Sequence, residues 1–174
     1  MIRIALASPY TLPFPCGNSV LAERLRKGLT RRGYRVSLFD SGYDTPLEAV
    51  TFKPQVLHSL NADRPHQWVK EFLNKYPVPW VITLTGTDYN SWCGKREPPP
   101  HIRDNLEKAD GLVVFHQEVL DSLRACLPPV AHKIRIIPQG VACSETIQNN
   151  RRLRHKFGIA DTDIVFLMVS RSGR

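Results

Sequence analysis

Short apolar runs alternate along the chain with stretches of helical spacing. The runs at 2–7, 35–40, 56–60, 80–84, 111–115, 133–137 and 164–169 are rich in aliphatic residues and predict strands. Between the first two, Leu21, Leu25 and Leu29 recur at i, i+4 and i+8. They predict a helix with Ser19 as its N-cap and Gly33 as its stop. Trp68, Val69, Phe72 and Leu73 predict a second helix over 66–76, ended by Pro77 and Pro79. Ile102 and Leu106 predict a third over 101–109. A fourth spans 117–127 and is halted by Pro128-Pro129; a basic fifth spans 149–157 and stops at Gly158.

Strands that are apolar almost throughout, each followed by a helix, predict an α/β fold. The expected form is a Rossmann-like doubly wound parallel sheet with helices on both faces and right-handed crossovers. The polar stretch 142–150 follows the sixth run and reads as a linker. The expected organisation is a Rossmann-like domain over 1–142, a linker and helix over 143–160, and a first strand of a second, truncated domain over 161–174. That last strand has no obvious place in a sheet already complete at six.

Composition narrows the class. With 42% hydrophobic and 23% charged residues the chain is an ordinary globular one, which excludes disordered and collagen-like readings. The net charge of +8 favours an anionic partner: a phosphorylated small molecule, anionic lipid or nucleic acid. A solvated basic surface produces the same balance. Cys16, Cys93, Cys126 and Cys143 form no Cys-x-x-Cys pair. Beside so aliphatic a core they predict reduced thiols in a cytoplasmic protein, and no zinc site. The opening MIRIALASPY lacks the long apolar region of a signal peptide. No stretch reaches the ~20 apolar residues that cross a bilayer.

Candidate chemistry lies at the carboxyl ends of the predicted strands, where open parallel sheets bind ligands. Those ends carry Cys16-Gly17-Asn18, then Asn61 and Arg64, then Thr85-Gly86-Thr87-Asp88, then His116 and finally Gln139. A dinucleotide fingerprint needs three glycines, and only Gly17 is present, so Asp40 at the end of the second strand does not point to NAD. Gly17 and Asn18 open a basic helix whose first amides suit phosphate oxygens; they equally suit a plain entry turn. The Thr85–Asp88 turn suits sugar hydroxyls or phosphate, with Asp88 as general base. Asp88 equally fits a cap on the next turn. His58, inside VLHSL, reads as a buried, satisfied histidine. No metal-ligand spacing, G-x-S-x-G elbow or Walker loop is present.

The ordered set RIALASPYTLPFPCGNSVLAERLRKGLTRRGYRVSLFD, VLHSLNADRP, WVITLTGTDYN, KADGLVVFHQ, KIRIIPQGV, LRHKFGI and IVFLMVS spans nearly the whole chain. It resembles the N-terminal half of GT-B-fold glycosyltransferases of glycosyltransferase family four, the glycogen synthase-like group. The chain departs from that pattern at four places. It has one glycine in the first loop, Thr85 where His is common, His116 where Ser is common, and Gln139 where Asn is usual. These changes suggest a branch with its own acceptor.

The resemblance implies an acceptor-side domain of an enzyme that moves a sugar from a nucleotide-diphosphosugar, with retention and without a metal. Gly17 and Asn18 are then expected at the donor phosphates. Asn61, Arg64, Thr85, Gly86, Thr87, His116 and Gln139 are expected around sugar or acceptor, and Asp88 as the catalytic group. The acceptor is a sugar, a lipid or a small molecule, and this fragment alone is expected to be inactive. The alternative is a non-catalytic module that pairs with a separate donor-binding chain, or with itself, through residues 160–174. Contact of the basic helix with the anionic inner face of a membrane is a further expectation. Nucleic-acid binding is not favoured, since that helix lacks aromatic interleaving.

Overall fold

Six strands form one sheet in a computed structural model of the chain, which describes residues 1–95, 97–140, 151–166 and 168. They are β1 (Arg3–Ser8), β2 (Arg35–Asp40), β3 (Val56–Leu60), β4 (Trp80–Thr83), β5 (Gly111–Val114) and β6 (Ile134–Ile136). The order is β2-β1-β3-β4-β5-β6, and every neighbouring pair is parallel. With helices on both faces, this is the Rossmann-like α/β fold that the alternation of strands and helices predicts. The chain divides into two compact units, Met1–Gln139 and Gly140–Arg174, and the sheet lies wholly in the first.

The helices are α1 (Gly17–Arg31), α2 (Pro46–Thr51), α3 (His66–Lys75), α4 (Pro100–Lys108), α5 (Gln117–Cys126) and, in the second unit, α6 (Arg151–Lys156). α1 packs on one sheet face and buries Leu21 and Ala22 against Leu6 and Leu60. Leu25 and Leu29 are only half-buried, so the predicted leucine stripe is buried at its first turn and not along its length. The other face holds the larger core. There Trp68, Val69 and Phe72 of α3, Ile102 and Leu106 of α4, and Leu120 and Leu123 of α5 meet strand residues such as Leu57, Ile82 and Leu112. Each such fully buried large side chain contributes about 1.5–3 kcal/mol.

Local chemistry sets the element ends. α1 starts three residues earlier than predicted, with Cys16 instead of Ser19 as N-cap. Ser19 sits at the third helical position, where its Oγ accepts from Cys16 N at 3.0 Å and donates to Phe14 O at 2.6 Å. The helix ends in a Schellman turn: Gly33 has φ 87°, Gly33 N bonds Thr30 O at 3.0 Å and Tyr34 N bonds Leu29 O at 3.2 Å. α2 escaped the periodicity analysis because six residues show no period. Its signal was the capping pattern Thr45-Pro46-Leu47-Glu48, realised as Thr45 N donating to Glu48 Oε2 at 3.0 Å. Pro128-Pro129 do not simply end a helix; they open a 3₁₀ turn over Pro128–Lys133 that delivers the chain to β6. β6 is the shortest strand and lies at a sheet edge, with Arg135 exposed at its centre.

The predicted strand over 164–169 does not form in its described part. Ile164, Val165 and Phe166 are exposed and lie outside any strand. A strand needs a neighbour to pair its backbone groups, and these residues have no ladder partner among the described residues. The predicted linker over 142–150 lies outside the described residues.

His58 on β3 is partly buried and reaches the neighbouring strand. Its Nε2 lies 2.8 Å from Thr83 Oγ1 on β4, and desolvation holds its pKa down at about 4, against an ordinary 6.5. The unfolded chain therefore binds a proton through that interval that the folded one refuses. Stability is fully present above pH 6.5 and falls as pH drops toward about 4, by up to roughly 3 kcal/mol. Urea midpoints measured across this range should sag in the parent protein. The sag attributable to this site should be absent in His58→Gln, which hydrogen-bonds but does not titrate. Parallel pH profiles for the two proteins would show that His58 does not carry the effect.

Candidate functional site

The chain leaves β1 outward to β2 and returns across it to β3, so strand order reverses between β1 and β3. In this topology the carboxyl ends of those two strands border the ligand crevice. All the candidate residues read from the sequence lie at the carboxyl edge of the sheet or in the loops leaving it.

Six of them, Asn61, Arg64, Thr85, Gly86, Thr87 and Asp88, form one hydrogen-bonded network. Asn61 follows β3 with φ 76°, a left-handed conformation that asparagine tolerates better than most residues. Its Oδ1 accepts from Asp63 N and Arg64 N, both at 3.0 Å, and fixes the turn. Its Nδ2 donates to Thr85 Oγ1 and Thr87 Oγ1, also at 3.0 Å each. Asp88 is fully buried beneath them. Its Oδ2 accepts from Ala62 N at 2.8 Å, and its Oδ1 accepts from Thr85 N at 3.0 Å and Gly86 N at 2.9 Å. Gly86 takes φ 113°, which lets its amide turn inward to that carboxylate.

This geometry changes the reading of Asp88. Burial raises its pKa, and the amides of Ala62, Thr85, Asp88 and Gly86 offset only part of that rise. Both its oxygens are occupied by backbone donors, and the side chain is shut away from any cleft. The general-base expectation gives way to the turn-capping one: Asp88 ties the loop after β3 to the loop after β4. Thr85 and Thr87 are differently placed. Each hydroxyl accepts from Asn61 and keeps its own O–H to donate, and Thr87 is exposed. A hydroxyl that accepts is polarised toward donating.

At the reversal point, the loop after β1 is pinned by a second buried acid. Asp40 Oδ2 accepts from Thr11 N at 2.8 Å and Thr11 Oγ1 at 3.0 Å, and its Oδ1 accepts from Gly42 N at 3.0 Å. That loop carries Tyr10, whose hydroxyl accepts a hydrogen bond from Arg64 Nη1. The Arg64 guanidinium carbon also stands 5.3 Å from the Tyr10 ring centre. Arg64 thus bridges the loops after β1 and β3. The same first loop leads into α1, where Gly17 and Asn18 are the first two helical residues. Amides of a first turn have no partner inside the helix. A Cβ built on Gly17 meets nothing within 4 Å, so its backbone borders open space.

His116 and Gln139 stand apart from the network. His116 is exposed as N-cap of α5, its ring 6.4 Å from that of Phe115, and Gln139 is exposed after β6. Sequence reasoning missed Asp63 and His101. His101 Nε2 lies 2.6 Å from Asp63 Oδ1, and its ring centre is 5.3 Å from that of His66. His66 Nδ1 in turn lies 3.0 Å from Asn105 Oδ1. The pair joins the loop after β3 to the start of α4 across 38 residues, and no local spacing announces it. Tyr10 stands after the first strand, among the polar residues the sequence places at the strand ends; its pairing with Arg64, 54 residues away, was not foreseen for the same reason.

The chain matches no protein-family model and no curated protein. Among the described residues, no group of three or more His, Cys, Asp and Glu could hold a metal ion. None of the helices described is long and apolar enough to cross a membrane.

The capping role of Asp88 has a direct consequence. Asp88→Ala strands three backbone N–H groups, those of Ala62, Thr85 and Gly86. It should cost about 3 kcal/mol or more in chemical denaturation. A variant as stable as the parent would return Asp88 to the list of catalytic candidates.

Proposed function

We propose that this chain is the acceptor-side lobe of a glycosyltransferase that moves a sugar, with retention, from a nucleotide-diphosphosugar to a sugar, lipid or small-molecule acceptor. The observation that carries the reading is at the strand-order reversal. The open amide end of α1 and the guanidinium of Arg64 belong to adjoining loops, linked through Tyr10. The ordered motifs resembling glycosyltransferase family four support it as well. Transfer leaves negative charge on the departing diphosphate, and fixed dipoles with a cation are the groups that stabilise it.

Each remaining residue has a place in this reading. Gly17 and Asn18 offer amides to donor phosphates. Thr85 and Thr87 donate hydroxyl hydrogens to sugar or acceptor oxygens, and Asn61 and Gly86 hold the turn that presents them. His116 and Gln139 border the acceptor side. The half-exposed Asp63–His101 pair takes the proton-accepting role that the sequence suggested for Asp88, since a carboxylate orients an imidazole toward a reacting hydroxyl. No metal is required, and the nucleotide-sugar is substrate.

A titration of the purified chain with a nucleoside diphosphate tests this. Arg64→Ala should weaken binding by about 10- to 100-fold, the worth of one hydrogen bond to a charged group. Gly17→Ala should weaken it too, by crowding the diphosphate, while leaving thermal stability at or above the parent value. Absence of binding, or equal affinity in all three proteins, would overturn the proposal.

A second reading, a non-catalytic module that pairs with another chain, is favoured by one observation. Leu153 and Phe157 around α6, and Ile164, Val165, Phe166 and Met168 beyond it, are all exposed. Apolar surface of this kind marks interaction sites. Gel filtration of the chain with and without residues 160–174 should then show association that is lost on removal. A monomer in both cases would exclude it.

A further inference from the structure

Three cysteines of the described residues are free thiols, and two of them meet. Cys93 lies in the turn that follows Asp88, and Cys126 is the last residue of α5. Their sulfurs are 3.6 Å apart, although 33 residues separate them in the chain. Both cysteines are partly exposed, and Cys93 borders an open cavity of about 260 Å³ with Tyr89, Glu118 and Ser122 on its walls. A small thiol reagent can therefore reach the pair. A disulfide needs about 2 Å between sulfurs, a closure of little more than a bond length from the 3.6 Å observed.

We propose that Cys93 and Cys126 form a reversible intrachain disulfide, a redox modification site that locks the turn after β4 to the end of α5. The oxidant class is a low-molecular-weight disulfide such as oxidised glutathione. Burial and the neighbouring Cys126 push the Cys93 thiol up; a thiolate on either sulfur opens the exchange, and the route through Cys126 is representative. The Cys126 thiolate attacks one sulfur of the oxidant and expels a glutathione thiolate, which takes up a proton. Cys93 then gives up its proton and attacks the Cys126 sulfur, and the second glutathione leaves as a thiolate and is protonated. Two protein thiols become one disulfide, and one oxidised glutathione becomes two reduced molecules. Reduced thiols are the ordinary state in a reducing compartment, and intracellular disulfides of mesophiles are typically transient and redox-sensing.

The bond would act on the turn that carries the network. Cys93 N bonds Tyr89 O at 2.8 Å, and Trp92 Nε1 bonds Asp88 O at 2.8 Å. Tying Cys93 to α5 thus restrains the backbone on which Asp88 sits. The proposal rests on the thiol geometry and stands whether or not the chain belongs to a sugar transferase.

The test treats the folded protein with oxidised glutathione, blocks remaining thiols with iodoacetamide, and maps the digest by mass spectrometry. The expected result is a Cys93–Cys126 cross-linked peptide that dithiothreitol abolishes, with Cys16 alkylated or glutathionylated instead. Oxidation should also raise the melting temperature, by restricting the unfolded chain. In Cys93→Ser, Cys126 should stop at the mixed disulfide with glutathione. In Cys126→Ser, Cys93 should give no cross-linked peptide and end as a free thiol or a mixed disulfide with glutathione. Stable glutathione adducts on both sulfurs of the parent protein, or both sulfurs recovered alkylated after oxidation, would overturn the assignment.

Discussion

The carboxyl edge of the sheet depends on the pairing of buried backbone amides by carboxylates. Parallel strands end in loops whose N–H groups have no ladder to join, and water does not reach the inner ones. Asp88 answers this for two loops at once, gathering amides from residues 62, 85 and 86. Asp40 does the same for residues 11 and 42. Asn61 completes the set, accepting two hydrogen bonds from amides of its own turn and donating two to the turn after β4. The result is economical in polar groups: among the described residues, no buried side-chain nitrogen or oxygen is without a hydrogen-bond partner. The loops nearest the crevice are therefore stiff, although their sequences are those of turns.

That stiffness divides the polar residues by task. Those that face inward, Asn61 and Asp88, are committed to the scaffold. Those that face outward, Arg64, Thr87, His116 and Gln139, remain reachable from solvent. A binding surface built this way loses little order when a ligand arrives, because the supporting turn is already fixed. Preorganisation of donors is the feature that stabilises developing charge most effectively.

The sheet was legible in the sequence because parallel strands are apolar on both faces and their runs stand out against polar loops. Val56–Leu60 and Trp80–Thr83 are clear cases. Short elements were not legible by period: α2 shows only its cap, and the 3₁₀ turn at 128–133 hides behind two prolines. The run at 164–169 has the right composition for a strand, but composition cannot report a partner, and its described part has none among the described residues. At the site, the edge on which residues gather followed from topology alone. Their division into buried and exposed did not, because Asp88 and Thr87 are neighbours in sequence and point to opposite environments. The Asp63–His101 and Tyr10–Arg64 pairs, and the meeting of Cys93 with Cys126, are long-range contacts that only the folded chain creates.

The brevity of β6 has a consequence for how the protein behaves in a crowd. An open sheet leaves bare backbone along its outermost strand, and such margins recruit foreign strands into fibrils. Here that margin is three residues, with the charge of Arg135 in the middle. So short a template, bearing a cation that an incoming strand must desolvate, gives self-propagating assembly almost no foothold on that flank.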